Sequence, residues 1–324
     1  MTGYPILVGF DHSPSATAAL RWAQDEAARR KAPVRLVYVF EWGGDANPVP
    51  GIAAWPDPAV RQEATAAVRR AAVEASTARP DVPLTMSVVD GPVVPTLRRF
   101  SQRAGLLVVG HRGLGGFTGM LAGSVAVDVA THAHCPVVVV RGSAPPHQPV
   151  VVGVDDAPGT EQTLGFAFEQ AAARQVDLVA VRAWRPPPVP ARSWCQQSPA
   201  EYPPRTDPAA ALDLLVAAEQ AMADQVLRSW REKYPHLPVH LQLVPHNPAQ
   251  ALVEASATAQ LVVVGARGRG GFQGLRLGSV ARQLVHHARC PIAVVRDLTE
   301  PVAQAEPIAP AERAGPSPGA DDEP

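Results

Sequence analysis

The sequence predicts an α/β protein of two tandem doubly wound domains, each a five-stranded, mostly parallel sheet with helices on both faces. Three observations carry this reading. Short β-branched apolar runs alternate with longer helical stretches, the whole pattern occurs twice, and each copy holds one glycine spacing, G-x2-G-x9-G-S, at Gly110–Ser124 and Gly265–Ser279. Nearly continuous apolar strands separated by helices belong to a parallel sheet covered on both sides.

In the first copy, strands are predicted near 5–10, 34–40, 83–89, 106–110 and 136–141. Between the first two, Ala16, Ala19, Leu20, Ala23 and Ala27 trace one helical face, and the Ala/Arg/Glu-rich run Pro58–Arg79 reads as a second helix. Ile6–Asp11 returns as Val150–Asp155, Leu36–Trp42 as Leu178–Trp184, and His132–Arg141 as His287–Arg296. This alignment sets Val39 against Val181. A period this long denotes a tandem domain rather than a solenoid.

The boundaries fall at 1–143 and 148–297. The short Pro-rich linker Gly142–Pro149 is stiff enough to fix the domains relative to each other. Residues 298–324 turn to Pro, Ala and acidic residues, the composition of a disordered tail. The second copy inserts a Pro-rich stretch over 185–207, carrying Trp194 and Cys195, which reads as a surface loop over the sheet edge.

Composition narrows the function classes. With 46% hydrophobic and 18% charged residues the chain is globular, and a net charge of −1 gives no field to gather nucleic acid or an acidic membrane. Three cysteines in 324 residues do not make a disulfide framework. The start has no signal-peptide pattern and no segment is apolar for about 18 residues, so the expected setting is the cytoplasm.

In a doubly wound sheet the ligand sits beyond the carboxyl ends of the strands. Asp11 and Asp155 follow the first strand of each copy and the glycine segments follow the fourth, so all lie at that edge. A strand that ends in glycines and reopens as a helix is an anion cradle of backbone N–H groups. A P-loop would need a Gly-Lys pair, which neither segment has. A dinucleotide fingerprint fails because its last glycine would fall at Thr118 and Gln273.

Several residues have plainer readings beside the sharp ones. Asp11 and Asp155 could cap the first helices, and Ser124 and Ser279 are expected as N-caps of the fourth. Arg112 and Arg267 recur in the loops, where arginines are usually solvated. His132-x-x-Cys135 and His287-x-x-Cys290 offer two ligands per copy, too few for a tetrahedral zinc site, so no metal site is read there.

The spacing, the Asp after strand one and the duplication together resemble the ATP-binding class of the universal stress protein family, over Ile6–Arg296. The resemblance implies an adenine nucleotide alpha hydrolase-like fold and one adenine-nucleotide site per domain. ATP is the expected ligand, AMP and ADP being alternatives, with Mg2+ on the phosphates. It assigns Gly110, Gly113, Gly265 and Gly268 to ribose and phosphate. Gly123, Ser124 and Val125, with Gly278, Ser279 and Val280, are assigned to phosphate at the helix start. Asp11 and Asp155 stand beside ribose and phosphate, and the backbone of Val39 and Val181 pairs with the adenine edge. The fifth strands resemble the family's dimerising edges, implying an intrachain pseudo-dimer and leaving further homodimerisation open. The second copy departs by carrying Asp155-Asp156-Ala157 where the first has Asp11-His12-Ser13, which puts an extra carboxylate near its phosphates.

No nucleophile–base set accompanies the cradles. The expected function is therefore a stress-response protein whose nucleotide occupancy controls assembly or the binding of an unidentified regulatory partner, with no catalytic residues assigned. The rivals are a slow Mg-dependent ATPase or self-phosphorylating protein, and an interaction module with degenerate sites.

Overall fold

The computed structural model describes residues 4–41, 58–113, 122–157, 159–184, 208–268, 277–296 and 312–313. The expected Pro-rich loop, the interiors of both glycine segments and most of the tail lie outside the described residues.

The first half runs β1 (Ile6–Gly9), α1 (Pro14–Arg30), β2 (Val34–Phe40), α2 (Pro58–Ala78), β3 (Leu84–Asp90), α3 (Val93–Ser101), β4 (Leu106–Gly110), α4 (Ser124–His132) and β5 (Val137–Val140). The second runs β6 (Val150–Gly153), α5 (Thr160–Arg174), β7 (Leu178–Ala183), α6 (Pro208–Lys233), β8 (Val239–Val244), α7 (Pro248–Ala255), β9 (Leu261–Gly265), α8 (Ser279–His287) and β10 (Ile292–Val295). Strands within each half pair in parallel, in the orders β3-β2-β1-β4-β5 and β8-β7-β6-β9-β10. The order reverses at β1 and β6, which creates the crevice expected at the carboxyl edge. Among the described residues no helix is long and apolar enough to cross a membrane.

The strands are apolar on both faces because both are covered. Ile6 and Val8 join a core beneath α1, α2, α5 and α6, while Leu7 turns to a second core beneath α3, α4, α7 and α8. Both cores run without a break through both halves. Their continuity comes from an antiparallel seam in which Val137, Val138 and Val139 of β5 face Val294, Ala293 and Ile292 of β10. The last strands therefore join the two halves into a single sheet, as the resemblance implied.

Polar groups fasten the seam. The Arg141 guanidinium donates to the Val285 carbonyl near the end of α8, and Arg296 donates to the Ala130 and Thr131 carbonyls near the end of α4. Cations suit helix C-termini, where carbonyls lack intrahelical partners. On the other face, α1 carries Glu26 into contact with α5. Its carboxylate is fully buried and accepts from Gln170 Nε2 (2.6 Å), from the Arg174 guanidinium (2.9 Å) and from Arg30. Burial works to raise the Glu26 pKa, but Arg174, Arg30 and the hydrogen bonds overcome it and hold the group down at about 2. Burial lowers Arg174 to about 10 against the pull of Glu26.

The linker is packed from its first residue. Gly142 has φ +57°, and a Cβ there would lie 1.8 Å from the Arg289 carbonyl oxygen. Gly142→Ala is expected to cost about 1–3 kcal/mol by forcing the linker off domain 2; urea unfolding at unchanged slope checks this.

Glu312–Arg313 form a short strand, β11, antiparallel to β3 with Glu312 opposite Met86.

Candidate nucleotide-binding site

Each cradle is assembled where β1 or β6 and β4 or β9 end side by side. After β1, Asp11 turns the chain: its Oδ1 accepts from the Ser13 N–H at 3.0 Å, and Ser13 Oγ accepts from the Ala16 N–H at 3.0 Å. Ser13, not Asp11, is thus the cap of α1. In the second half Asp155 Oδ1 accepts from the Ala157 N–H (3.1 Å) and the Thr160 hydroxyl (2.8 Å), while Gly159 occupies the cap position without a side-chain bond.

The structure brings these aspartates and the glycine loops together. A Cβ built on Gly113 would lie 2.5 Å from Asp11 Oδ2, and one on Gly268 would lie 2.7 Å from Asp155 Oδ2. Gly110 packs against the start of α1, leaving a Cβ only 2.5 Å from Ser15 Oγ and 2.6 Å from the Ser15 carbonyl carbon.

The loops then return to the fourth helix of each half through one backbone bond. Gly123 N–H donates to the His111 carbonyl at 2.8 Å, and Gly278 N–H to the Ala266 carbonyl at 2.7 Å. Gly123 and Gly278 are the caps of α4 and α8, with no side-chain cap bond, and Ser124 and Ser279 are the first helical residues. This corrects the expectation that the serines cap. The N–H groups of Ser124, Val125, Ser279 and Val280 belong to first turns, where the helix supplies no acceptor. Nor does packing against the described residues demand glycine at the caps. Gly123 has φ −75° and Gly278 φ −69°, ordinary values, and a Cβ would stand 3.6 Å and 3.4 Å from its nearest described neighbour.

The second strands require another correction. Gly9 pairs with Val37 and Gly153 with Val181, and the carbonyls of Val37 and Val181 accept from Phe10 and Val154 N–H, each at 2.9 Å. Val181 therefore corresponds to Val37, with its carbonyl already engaged, and the counterpart of Val39 is Ala183. Peptide groups alternate direction along a strand, so Val39 and Ala183 turn theirs toward the crevice just past β1 and β6.

Asp156 does not add a carboxylate to the second cradle as expected. It pairs with buried Arg182 at 2.8 and 3.2 Å, and Arg182 also donates to Glu219 of α6 at 2.6 Å. In the first half the same positions hold His12 and Tyr38, ring against ring at 5.2 Å with Phe10 beside them. Burial pushes the His12 pKa down, opposed by Asp11 and reinforced by Arg70. Cys135 and Cys290 are buried with their thiols pushed to about 12 by desolvation, and the His132 ring bonds the Asp128 carbonyl of its own helix. These cysteines act as small core residues.

Sequence reasoning missed Ser15 and His111. The Ser15 hydroxyl stands 3.0 Å from His111 Nδ1 and accepts from the Arg112 N–H at 3.3 Å, while Ser13 Oγ donates to the Arg112 carbonyl at 3.2 Å. The signal was a concerted difference between the copies: Ser13, Ser15 and His111 in one, Ala157, Gly159 and Ala266 in the other.

Two doubly wound domains joined through their last strands, each with an aspartate, a glycine turn and a helix start at its carboxyl edge, define a tandem α/β protein. The chain belongs to the universal stress protein family, whose sequence model matches residues 4–141 and again 146–296. It is 39% identical over 307 residues to one universal stress protein of Mycobacterium tuberculosis, covering 90% of this chain and 96% of that one. To another from that organism it is 34% identical over 334 residues, covering 94% and 98%. Its fold matches the crystal structure of a universal stress protein from Archaeoglobus fulgidus with a TM-score of 0.62 at 16% identity, over 91% of this chain and 99% of that one.

Proposed function

We propose that each cradle holds an adenine nucleotide, ATP first among them, and that occupancy governs assembly or the docking of a regulatory partner in a cytoplasmic stress response. One observation supports this above the others. Gly123 and Gly278 head helices without side-chain caps, at ordinary dihedrals and with room for a Cβ among the described residues. The absence of a side chain there serves the close approach of an outside group, and the helix start favours an anionic one. The spacing G-x2-G-x9-G-S, met twice, resembles the motif of the family's ATP-binding class, and that resemblance favours adenine nucleotide over other phosphates.

Backbone N–H groups at Ser124, Val125, Ser279 and Val280 would take phosphate oxygens, and Val39 and Ala183 would offer peptide groups to the base. Asp156 is committed to Arg182, so among the described residues Asp11 and Asp155 are the carboxylates that stand against the glycine turns. That set suits Mg2+ carried mainly by phosphate oxygens with few protein ligands. When bound, the ion would neutralise phosphate charge beside Asp11 and Asp155.

Calorimetry with Mg-ATP is expected to find two nucleotides per chain. Gly113→Ala and Gly268→Ala should each remove one, because the new Cβ displaces the carboxylate of Asp11 or Asp155. No binding at millimolar nucleotide, or full stoichiometry in the double variant, would refute the reading.

A further inference from the structure

We infer that the two cradles are unequal, the first being preorganised by Ser13, Ser15 and His111 as positioning residues, so that it takes the nucleotide more tightly than the second. This rests on the proposed nucleotide function and ranks its two sites. The geometry lies in the turn between the first two glycines of each loop. In domain 1 both peptide groups of Arg112 are tied to the head of α1: its carbonyl accepts from Ser13 Oγ and its N–H donates to Ser15 Oγ. His111 Nδ1 sits 3.0 Å from the same hydroxyl and 3.3 Å from the Val140 carbonyl, tying the loop to β5 as well. The loop is thus held on two sides before any ligand arrives.

Among the described residues, domain 2 repeats two backbone bonds of this loop without the side-chain ties. Ala266 N–H reaches the Val295 carbonyl as His111 N–H reaches Val140, and Gly278 closes the loop as Gly123 does. At the three tying positions stand Ala157, Gly159 and Ala266, whose side chains can neither donate nor accept. Its hydroxyls serve elsewhere: Thr160 bonds Asp155, and Thr163 bonds the Gly159 carbonyl. Ordering the Arg267 turn falls to the ligand, and that entropy is subtracted from binding.

The test uses the full chain with Mg-ATP as probe. Hydrogen exchange of the ligand-free protein should protect the Arg112 amide more than the Arg267 amide. Calorimetry should resolve two ATP sites roughly tenfold apart, with Gly268→Ala leaving the tighter and Gly113→Ala the weaker. Ser15→Ala and His111→Ala should each weaken the tight site and leave the other unchanged, a confinement that general destabilisation would not produce. The graft Gly159→Ser with Ala266→His should tighten the weak site. Equal affinities, or losses shared by both sites, overturn the inference while leaving the nucleotide function standing. Absence of ATP binding at both sites, with Arg112 still protected, overturns the nucleotide function and the ranking with it.

Discussion

Glu26→Ala is expected to destabilise the folded chain by about 3–5 kcal/mol, because it strands a buried guanidinium rather than because it removes an attraction. The Arg174 side chain is 4% exposed and the Glu26 carboxylate is its anionic partner across the α1–α5 contact. Urea unfolding should show the loss as a lower midpoint. The paired replacement Glu26→Leu with Arg174→Met should recover most of it, since exchanging a whole buried pair for apolar groups is often neutral or better. If the double variant is as weak as the single one, the pair does not act as described. The same carboxylate sets an acid limit. Its pKa is held at about 2, below the ordinary glutamate value of 4.5, so its contribution is complete above 4.5 and fades as pH falls toward 2. The double variant should lose that part of the acid dependence.

Gly110→Ala should abolish nucleotide binding in domain 1 and cost about 1–3 kcal/mol of stability besides. The added Cβ meets Ser15 Oγ at 2.5 Å and the Ser15 carbonyl carbon at 2.6 Å, the latter being backbone in the first turn of α1. A hydroxyl can swing away, but a carbonyl carbon moves only with its helix. The equivalent Gly265→Ala meets the Arg267 carbonyl at 3.0 Å and Thr163 Oγ1 at 3.3 Å, contacts that a few tenths of an ångström relieve. Calorimetric stoichiometry should therefore fall from two to one in Gly110→Ala and hold nearer two in Gly265→Ala. Equal losses would contradict the packing described.

The architecture was legible because its causes are local. Runs such as Ile6–Gly9 and Leu106–Gly110 are apolar at every position, which only a sheet covered on both faces requires. The seam could be foreseen only through the resemblance, since nothing within Val137–Val140 specifies its partner. The Val181 error has a clear origin. A shift of two residues keeps every side chain on its own face, so the hydrophobic pattern cannot detect it. The reliable landmark was the left-handed residue closing each preceding helix, Lys31 at φ 51° and Gln175 at φ 55°, each three residues before its strand. The serine caps were misread because glycine can itself hold the cap position. Glu26 and Arg174 lie 148 residues apart, and no local pattern marks two helix residues that meet only across the seam.

The antiparallel joining of β5 to β10 also gives the molecule a polarity. All strands of one half run opposite to the facing half, so the two carboxyl edges, and with them the two cradles, open toward opposite ends of the protein. A flat partner laid against one end would meet one cradle and not the other. A reader of both must wrap around the molecule, or two readers must bind back to back. Successive copies meeting end to end would set the first cradle of one chain before the second cradle of the next.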